Sequence, residues 1–521
     1  MSISLDKFVN VNLVHHETSV NSTTRDTVVL LSGIGFDDEG VADNKYKINR
    51  AFNDDDNLIF TTLPDYPDVN QNNAAYTLTK YYDKDIYGEG TAANPWQLPF
   101  PYSFFYYIEA VDTNAETITL HVIEQLIPIY QYLKVFFDNK GVKAKLQHIT
   151  VKGTDMSAVV DNYYETIVAL KDEYILVAIV NDTIESTQST TNSDGTEKKI
   201  VYKKSLPLDY LNKLAKKLDS VYYGTDLTTA KGTLINVSSD KVKSGIHRKL
   251  LIGRIRYTDI YDKSAEVLQN KYSSKSLILK YSSCKNVYDD DLNVLNQVDK
   301  IGDEMSIAAY LTRINIDSSD SVKDYCYTIE SCYPDVTCKN SHNSDAAHDS
   351  NGYESKEVDD DLYDKLNACH FTFTYNLANQ NRAIGGDTCA GYSFVNEYVA
   401  IIVQQTITDN LIKLLVTKPK TTNICGMINS VISSDLNRYV TNGYLATNKC
   451  WTDEDLSVTR NGVTYDIIST GTQLSSGYYI TVLPLSSLTA TEKKNHAAPK
   501  AYVILAESDA IRTIDVSGEI I

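Results

Sequence analysis

The chain has 521 residues, of which 42% are hydrophobic and 22% charged, and this composition places it among soluble globular proteins; a chain of this length is expected to divide into about two to four domains. Its formal net charge of −19 argues against nucleic acid or an anionic membrane as main partner, since either needs clustered Lys and Arg. No run of about 18 apolar residues predicts a membrane-spanning helix, and Met1 to Phe8 lacks the basic region and apolar stretch of a secretory signal, so synthesis and assembly in the cytoplasm are expected.

Residues 1–26 read as a linker arm. Val9, Val11 and Leu13 alternate with Asn10 and Asn12 at the period of a half-buried strand, and a polar tract runs from Glu17 to Asp26. Residues 27–315 read as an α/β region. A buried strand is predicted at Thr27–Ser32, then an irregular stretch rich in Asn, Asp, Pro and Tyr to about residue 104. Apolar residues at helical spacing from Val122 to Phe137 predict a helix stopped by Asn139-Lys140-Gly141, followed by a strand on Val142, Ala144 and Leu146.

The same pattern predicts a helix at Met156–Leu170, a strand at Tyr174–Val180, a helix at Pro207–Leu218 and a strand at Thr233–Val237. Helices alternating with continuously apolar strands indicate a parallel or mixed sheet covered on both faces. The polar stretches Asp182–Lys199 and Lys339–Asp361 are too poor in apolar residues to fold alone and read as surface loops or hairpin tips. A helix at Glu304–Ile314 ends the region, and residues 316–380 read as a variable connection.

Residues 381–508 read as a compact α+β domain. Helices are predicted at Val395–Val416, ended by Lys418-Pro419, and at Met427–Val440, ended by Asn442-Gly443; strands follow at Val463–Ile468, Tyr478–Leu483 and Ala501–Ala506. Residues 509–521 form a second arm, in which Ile514, Val516, Gly518 and Ile520 alternate with polar residues. A terminal strand with this pattern needs a partner sheet, because alone it leaves its amides and carbonyls unpaired.

Chemistry-bearing motifs are weak. Gly33-Ile34-Gly35 follows a strand, but its third glycine is displaced to Gly40 and three acidic residues would face a pyrophosphate, so it fails as a dinucleotide loop. Cys389, between glycines and with His370 nearby, has no recognisable nucleophile spacing. Cys326, Cys332, Cys338, His342 and His348 lie within 23 residues, yet at spacings of no zinc finger or ribbon. The runs Asp54–Asp56, Asp289–Asp291 and Asp359–Asp361 lack the glycine and distal glutamate of a calcium loop and read as solvated faces. His15-His16 reads as incidental. No catalytic residue, metal or cofactor is therefore predicted, and the eight scattered cysteines read as free thiols. The 38 tyrosines, against 12 Phe and 2 Trp, suit large subunit contacts and equally fit a codon bias.

The C-terminal 130 residues resemble the tail sheath proteins of contractile phages, in particular a long-chain myovirus branch. The resemblance rests on Ile384-Gly385-Gly386 leading to Gly391-Tyr392, the Thr417-Lys418-Pro419 stop, Gly426, and Val440 to Ala446. It continues through Gly477 to Val482, Ala497 to Tyr502 and Asp509 to Ile514, and the arm Phe8 to Asn12 is similar to that family's opening arm. Residues 180–380 match poorly. The resemblance implies a virion subunit that forms hexameric rings stacked around a tail tube, meeting baseplate and tail-terminator proteins at the ends. Its arms, carried here by Val9, Val11, Leu13, Ile514, Val516 and Ile520, would complete sheets in neighbouring copies by β-augmentation, and the short segment Val9 to Leu13 fits equally a strand folded back onto its own sheet. The C-terminal domain would face the tube, with Lys413, Lys418 and Lys420 as candidates for attraction to an acidic tube surface; helix-terminal cations favoured by the macrodipole explain them equally well. Alternatives from other classes are a non-contractile tail or baseplate component, a cysteine hydrolase using Cys389, and a metal-dependent glycan-binding or glycan-cleaving protein.

Overall fold

The computed structural model describes residues 12–13, 27–33, 57–64, 77–99, 105–123, 126–149, 155–170, 175–179, 185–191, 197–203, 206–223, 249–260, 262–274, 276–288, 294–314, 325–337, 356–385, 407, 410–411, 413–414, 417 and 423–506. In chain order the strands are β1 (Asn12–Leu13), β2 (Thr27–Ser32), β3 (Asn57–Phe60), β4 (Thr77–Tyr81), β5 (Tyr106–Asp112), β6 (Thr117–Val122), β7 (Lys143–His148), β8 (Ile175–Ala178), β9 (Glu185–Thr191), β10 (Glu197–Lys203), β11 (Leu250–Ile255) and β12 (Leu277–Tyr281). They continue as β13 (Cys284–Tyr288), β14 (Val294–Asp299), β15 (Val336–Thr337), β16 (Lys356–Glu357), β17 (Thr372–Leu377), β18 (Gln380–Gly385), β19 (Lys449–Cys450), β20 (Leu456–Arg460), β21 (Val463–Ile468), β22 (Gln473–Leu474), β23 (Tyr478–Val482) and β24 (Ala501–Leu505).

Every residue of β2, β8, β11 and β12 is buried, as expected of strands covered on both faces. They belong to an eight-stranded mixed sheet of order β18-β17-β12-β11-β8-β2-β7-β3. β2, β7, β8, β11, β12 and β17 are mutually parallel, and β3 and β18 close the edges antiparallel. Counted along the chain, the parallel strands stand in the order 2-1-3-4-5-6, which is the doubly wound arrangement.

That winding puts helices on both sides. Val28, Leu30, Leu146, Val177 and Ile252 face the helices Ile127–Asp138 and Met305–Thr312. Val29, Leu31, Leu176, Leu251 and Leu279 face Met156–Ala169, Leu208–Tyr223 and Asp360–Ala368. Local chemistry sets the helix ends. The Asp155 carboxylate accepts from the amides of Ser157 and Ala158 at 2.8 and 3.2 Å, a cap worth about 0.5–2 kcal/mol. The Asp359-Asp360-Asp361 run is exposed, as expected of a solvated face, and it also starts a helix: Asp359 accepts from the Leu362 amide at 2.9 Å, and its neighbours occupy the first turn, where the helix dipole favours negative charge.

Three segments carry more regular structure than periodicity alone assigned to them. The stretch expected to be irregular to about residue 104 contains β3 and β4, and β4 joins β6 and β5 in an antiparallel sheet. Its apolar residues Tyr106, Ile108, Ile118 and Leu120 are buried in the core of one face of the main sheet. The polar stretch Asp182–Lys199 carries β9 and, with β10, forms an antiparallel ladder from Glu185 opposite Lys203 to Thr191 opposite Glu197. Residues 360–385, read as the end of a variable connection and the start of the C-terminal domain, supply a helix and two strands of the main sheet. The strand expected at Thr233–Val237 lies outside the described residues.

The segment Tyr325–Thr337 is tied to the sheet by buried charges. Lys280 Nζ, in β12, donates to Glu330 Oε1 and Ser306 Oγ, both at 2.7 Å, and Glu330 Oε2 accepts from Thr374 Oγ1 at 2.9 Å. Beside this pair Lys300 Nζ lies 2.6 Å from Asp303 and 2.7 Å from Asp335, while Asp335 also accepts from the Thr374 amide at 2.7 Å. Burial is the largest single influence and would depress the Lys280 ammonium; Glu330, together with Cys332 and Asp303 nearby, outweighs it and holds the pKa above its usual value.

Candidate assembly interface

The C-terminal unit is built on the helix Ile424–Thr441, whose Ile424, Ile428, Ile432, Leu436 and Tyr439 are buried at intervals of four and three residues. This stripe packs with Val503, and with the half-buried Tyr478, Ile480 and Val482, on one face of the β23-β24 ladder. The other face packs Ile504 and Ala506 against Ile467, Ile468, Leu474 and Leu483, next to the β20-β21 hairpin. β24 is thus the middle layer of a small sandwich, and its alternation decides which side chain meets which layer.

Polar contacts fix the register of helix on sheet. Tyr478 Oη lies 2.9 Å from Asn437 Oδ1, the Ala446 amide donates to Ala506 O at 2.8 Å, and the Ala506 amide to Gly477 O at 2.9 Å. Gly477 has φ +78°, and a Cβ there would stand 3.2 Å from Val440 Cγ2 and 3.3 Å from Ala446 O, so the helix end and the start of β23 close only over a glycine. Behind the sheet, Thr489 and Glu492 form a reciprocal capping box and Arg460 pairs with Glu492 at 2.5 Å. The Thr489 amide, helped by Arg460, holds the Glu492 carboxyl down at about 2.

The N-terminal arm comes to this sheet. β1 lies parallel to β24, with Asn12 opposite Tyr502 and Leu13 opposite Val503, giving the order β1-β24-β23. Both edges of β24 are therefore occupied, whereas β23 has no second strand neighbour among the described residues. A pairing of two residues carries few backbone hydrogen bonds, each worth a net of about 0.5–1.5 kcal/mol, so β1 is held weakly.

Of the residues singled out from the sequence, Leu13 lies in β1. Lys413 is exposed and donates to Asn410 Oδ1 at 3.0 Å, while Asn410 Nδ2 donates to both oxygens of Asp435 at 2.8 and 2.9 Å. Burial pushes the Asp435 carboxyl up. Lys413 thus ends a polar bridge that reaches the helix Ile424–Thr441. Val9, Val11, Ile514, Val516, Ile520, Lys418 and Lys420 lie outside the described residues, as do His15, His16, Cys338, His342, His348, Cys389 and the first two aspartate runs. Cys326 and Cys332 are buried, and burial raises the Cys332 thiol far above its usual value, a setting for an inert thiol. His370 follows the helix Asp360–Ala368 in a left-handed turn with φ 61°. Among the described residues no group of three or more His, Cys, Asp or Glu side chains is placed to hold a metal ion, and no helix is long and apolar enough to cross a membrane.

Sequence reasoning found β24 and the alternating arm but not their pairing, since a period of two shows that a strand needs a neighbour without saying which. Residues 395–520 match the family described as E217 tail sheath protein gp31-like, C-terminal domain. No curated protein matches the chain. The matched segment is about a quarter of the sequence; it contains the helix, the sandwich and the edge that receives β1, and over those residues the chain is similar to the phage tail sheath proteins.

Proposed function

We propose, from the premise of a phage tail sheath C-terminal domain, that this protein is the repeating subunit of a contractile sheath. Copies form hexameric rings stacked helically around an inner tail tube, capped by baseplate and tail-terminator proteins, and contraction drives the tube through the host envelope for genome delivery. The observation that carries this reading is β1 on the edge of β24, a short parallel strand brought from the far end of the chain to the C-terminal sheet.

In the assembled sheath the same edge takes the arm of a neighbour. Thirteen residues separate Leu13 from Thr27, and at about 3.3–3.6 Å per residue they can reach about 45 Å, enough to cross to an adjacent subunit. Val9, Val11 and Leu13 supply one arm; Ile514, Val516 and Ile520 supply the other, for which the outer edge of β23 is the natural acceptor. Backbone pairing of this kind adheres without fixing the angle between bodies, so subunits can rotate during contraction while remaining joined. Lys413, Lys418 and Lys420 would face the tube.

Deleting residues 513–521 tests the reading. The full chain should polymerise into tubes visible by negative-stain electron microscopy, and the truncated chain should give single subunits or separate rings. Connected, normal tubes from the truncated chain would refute arm exchange. Rings of one fixed geometry, from the full chain and in intact virions alike, would favour a non-contractile tail component.

A further inference from the structure

The small sheet β4-β6-β5 carries a groove unrelated to the C-terminal unit. Its volume is about 700 Å³, and Tyr81, Tyr82 and Trp96 line it together with the carboxylates of Asp83, Glu89 and Glu116. The walls are held in place before any ligand arrives. Tyr82 Oη donates to Gly88 O at 2.8 Å, and the Tyr82 and Trp96 ring centres lie 6.3 Å apart at an interplanar angle of 58°. The loop beneath is closed by Glu89 N to Asn94 O at 2.9 Å and Gln97 N to Tyr87 O at 3.0 Å. Trp96 lies so close over Gly90, φ +70°, that a Cβ would fall 2.1 Å from its Nε1; the indole is seated because that residue has no side chain. Tyr81, by contrast, is 65% exposed, and the Glu116 carboxylate beside its hydroxyl raises its pKa.

The chemistry of this lining narrows the occupant. Three carboxylates against the single ammonium of Lys84, which lies 3.9 Å from Glu89, repel an anion. Aromatic faces carry negative quadrupole density and favour polarised C–H groups or a cation. Size separates these two: the groove lies within the range of about 300–1,000 Å³ typical of small-molecule sites, and one ammonium group would leave most of it empty. A sugar of two or three rings offers both what the rings take and what the carboxylates accept.

We propose that this groove binds a short uncharged oligosaccharide, with pyranose C–H faces stacked on Tyr81, Tyr82 and Trp96 and with hydroxyls donating to Asp83, Glu89 and Glu116. It uses residues 81–116 alone, and it stands or falls separately from the sheath reading.

The chain has two tryptophans, so full-length protein carrying Trp451→Phe reports Trp96 fluorescence alone. Titration with maltotriose, cellotriose and chitotriose should give a saturable change for at least one, with a Kd of about 0.1–5 mM. Tyr81→Ala, at an exposed position that leaves the fold intact, should weaken that binding about 5-fold or more, and Glu116→Gln about 3-fold, the loss of one stacking face and one charged acceptor. Unchanged circular dichroism of both variants separates lost binding from lost folding. Absence of saturation with all three sugars up to about 20 mM would overturn the proposal, as would full-strength binding in both variants or competition by choline at equal concentration. A change of self-association in Tyr81→Ala without any sugar binding would make the groove a contact between copies, and the proposal would fall.

Discussion

Replacing Lys280 by Met removes an ammonium group whose side chain has no solvent exposure and which sits 2.7 Å from both Glu330 Oε1 and Ser306 Oγ. The methionine fills nearly the same space, so the cost is electrostatic: Glu330, 4% exposed at its side chain, is left charged in the interior with hydroxyl donors alone. Breaking one side of such a pair costs about 3–5 kcal/mol, a large share of a total that is usually about 5–15 kcal/mol. The loss should appear first in Tyr325–Thr337, which carries Glu330 and Asp335 and is joined to β17 and β18 through the amides of Tyr327, Glu330 and Asp335. Hydrogen exchange of those three amides is the assay, and at 1.4 kcal/mol per decade their protection should fall by about two to three and a half decades. The double variant Lys280→Met/Glu330→Gln removes both charges and should recover about half the loss or more, since a buried pair contributes little beyond compensating its own desolvation. A single variant that loses under about 1 kcal/mol, or a double variant worse than the single, would refute this account of the network.

Two other substitutions test different parts of the argument. Glu304 is fully buried, and among the described residues neither carboxylate oxygen has a hydrogen-bond partner of ordinary geometry; burial raises its pKa although Tyr132 and Arg254 pull the other way. The folded chain therefore favours the protonated acid, so stability from this group is complete below the unfolded value of about 4.3 and is lost as pH rises through the higher folded value. Glu304→Gln should raise the melting temperature at about pH 8, and the gain should shrink as pH falls toward about 4.5; a gain that grows in acid would reverse the assignment. Gly477→Ala places a Cβ against Val440 and Ala446 at positive φ and should destabilise the C-terminal unit by about 1–3 kcal/mol in urea unfolding, whereas the same change at Gly426, where a Cβ meets nothing within 4 Å, should be neutral or stabilising.

Periodicity alone determined the elements whose burial is one-sided or complete and uninterrupted. Val28 to Leu31 reads as a strand because four consecutive apolar residues leave no wet face, and Ile428, Ile432 and Leu436 read as a helix stripe because their spacing matches its turn. β11 and β12 escaped that reading. Each carries a charge one residue from its end, Arg254 and Lys280, and a charge ordinarily marks a solvated position. Here Lys280 is buried because Glu330, fifty residues along the chain, meets it there, and no local pattern announces a partner at that distance. The groove was hidden for a related reason: Tyr82 and Trp96 stand in a stretch without period, and a loop closed by backbone bonds brings their rings together. The arm shows the division most clearly. Alternation at Val9, Val11 and Leu13 declares that the backbone must pair; the choice of β24 as acceptor depends on which sheet edge the packed helix and hairpin leave open, and that is a property of the tertiary structure.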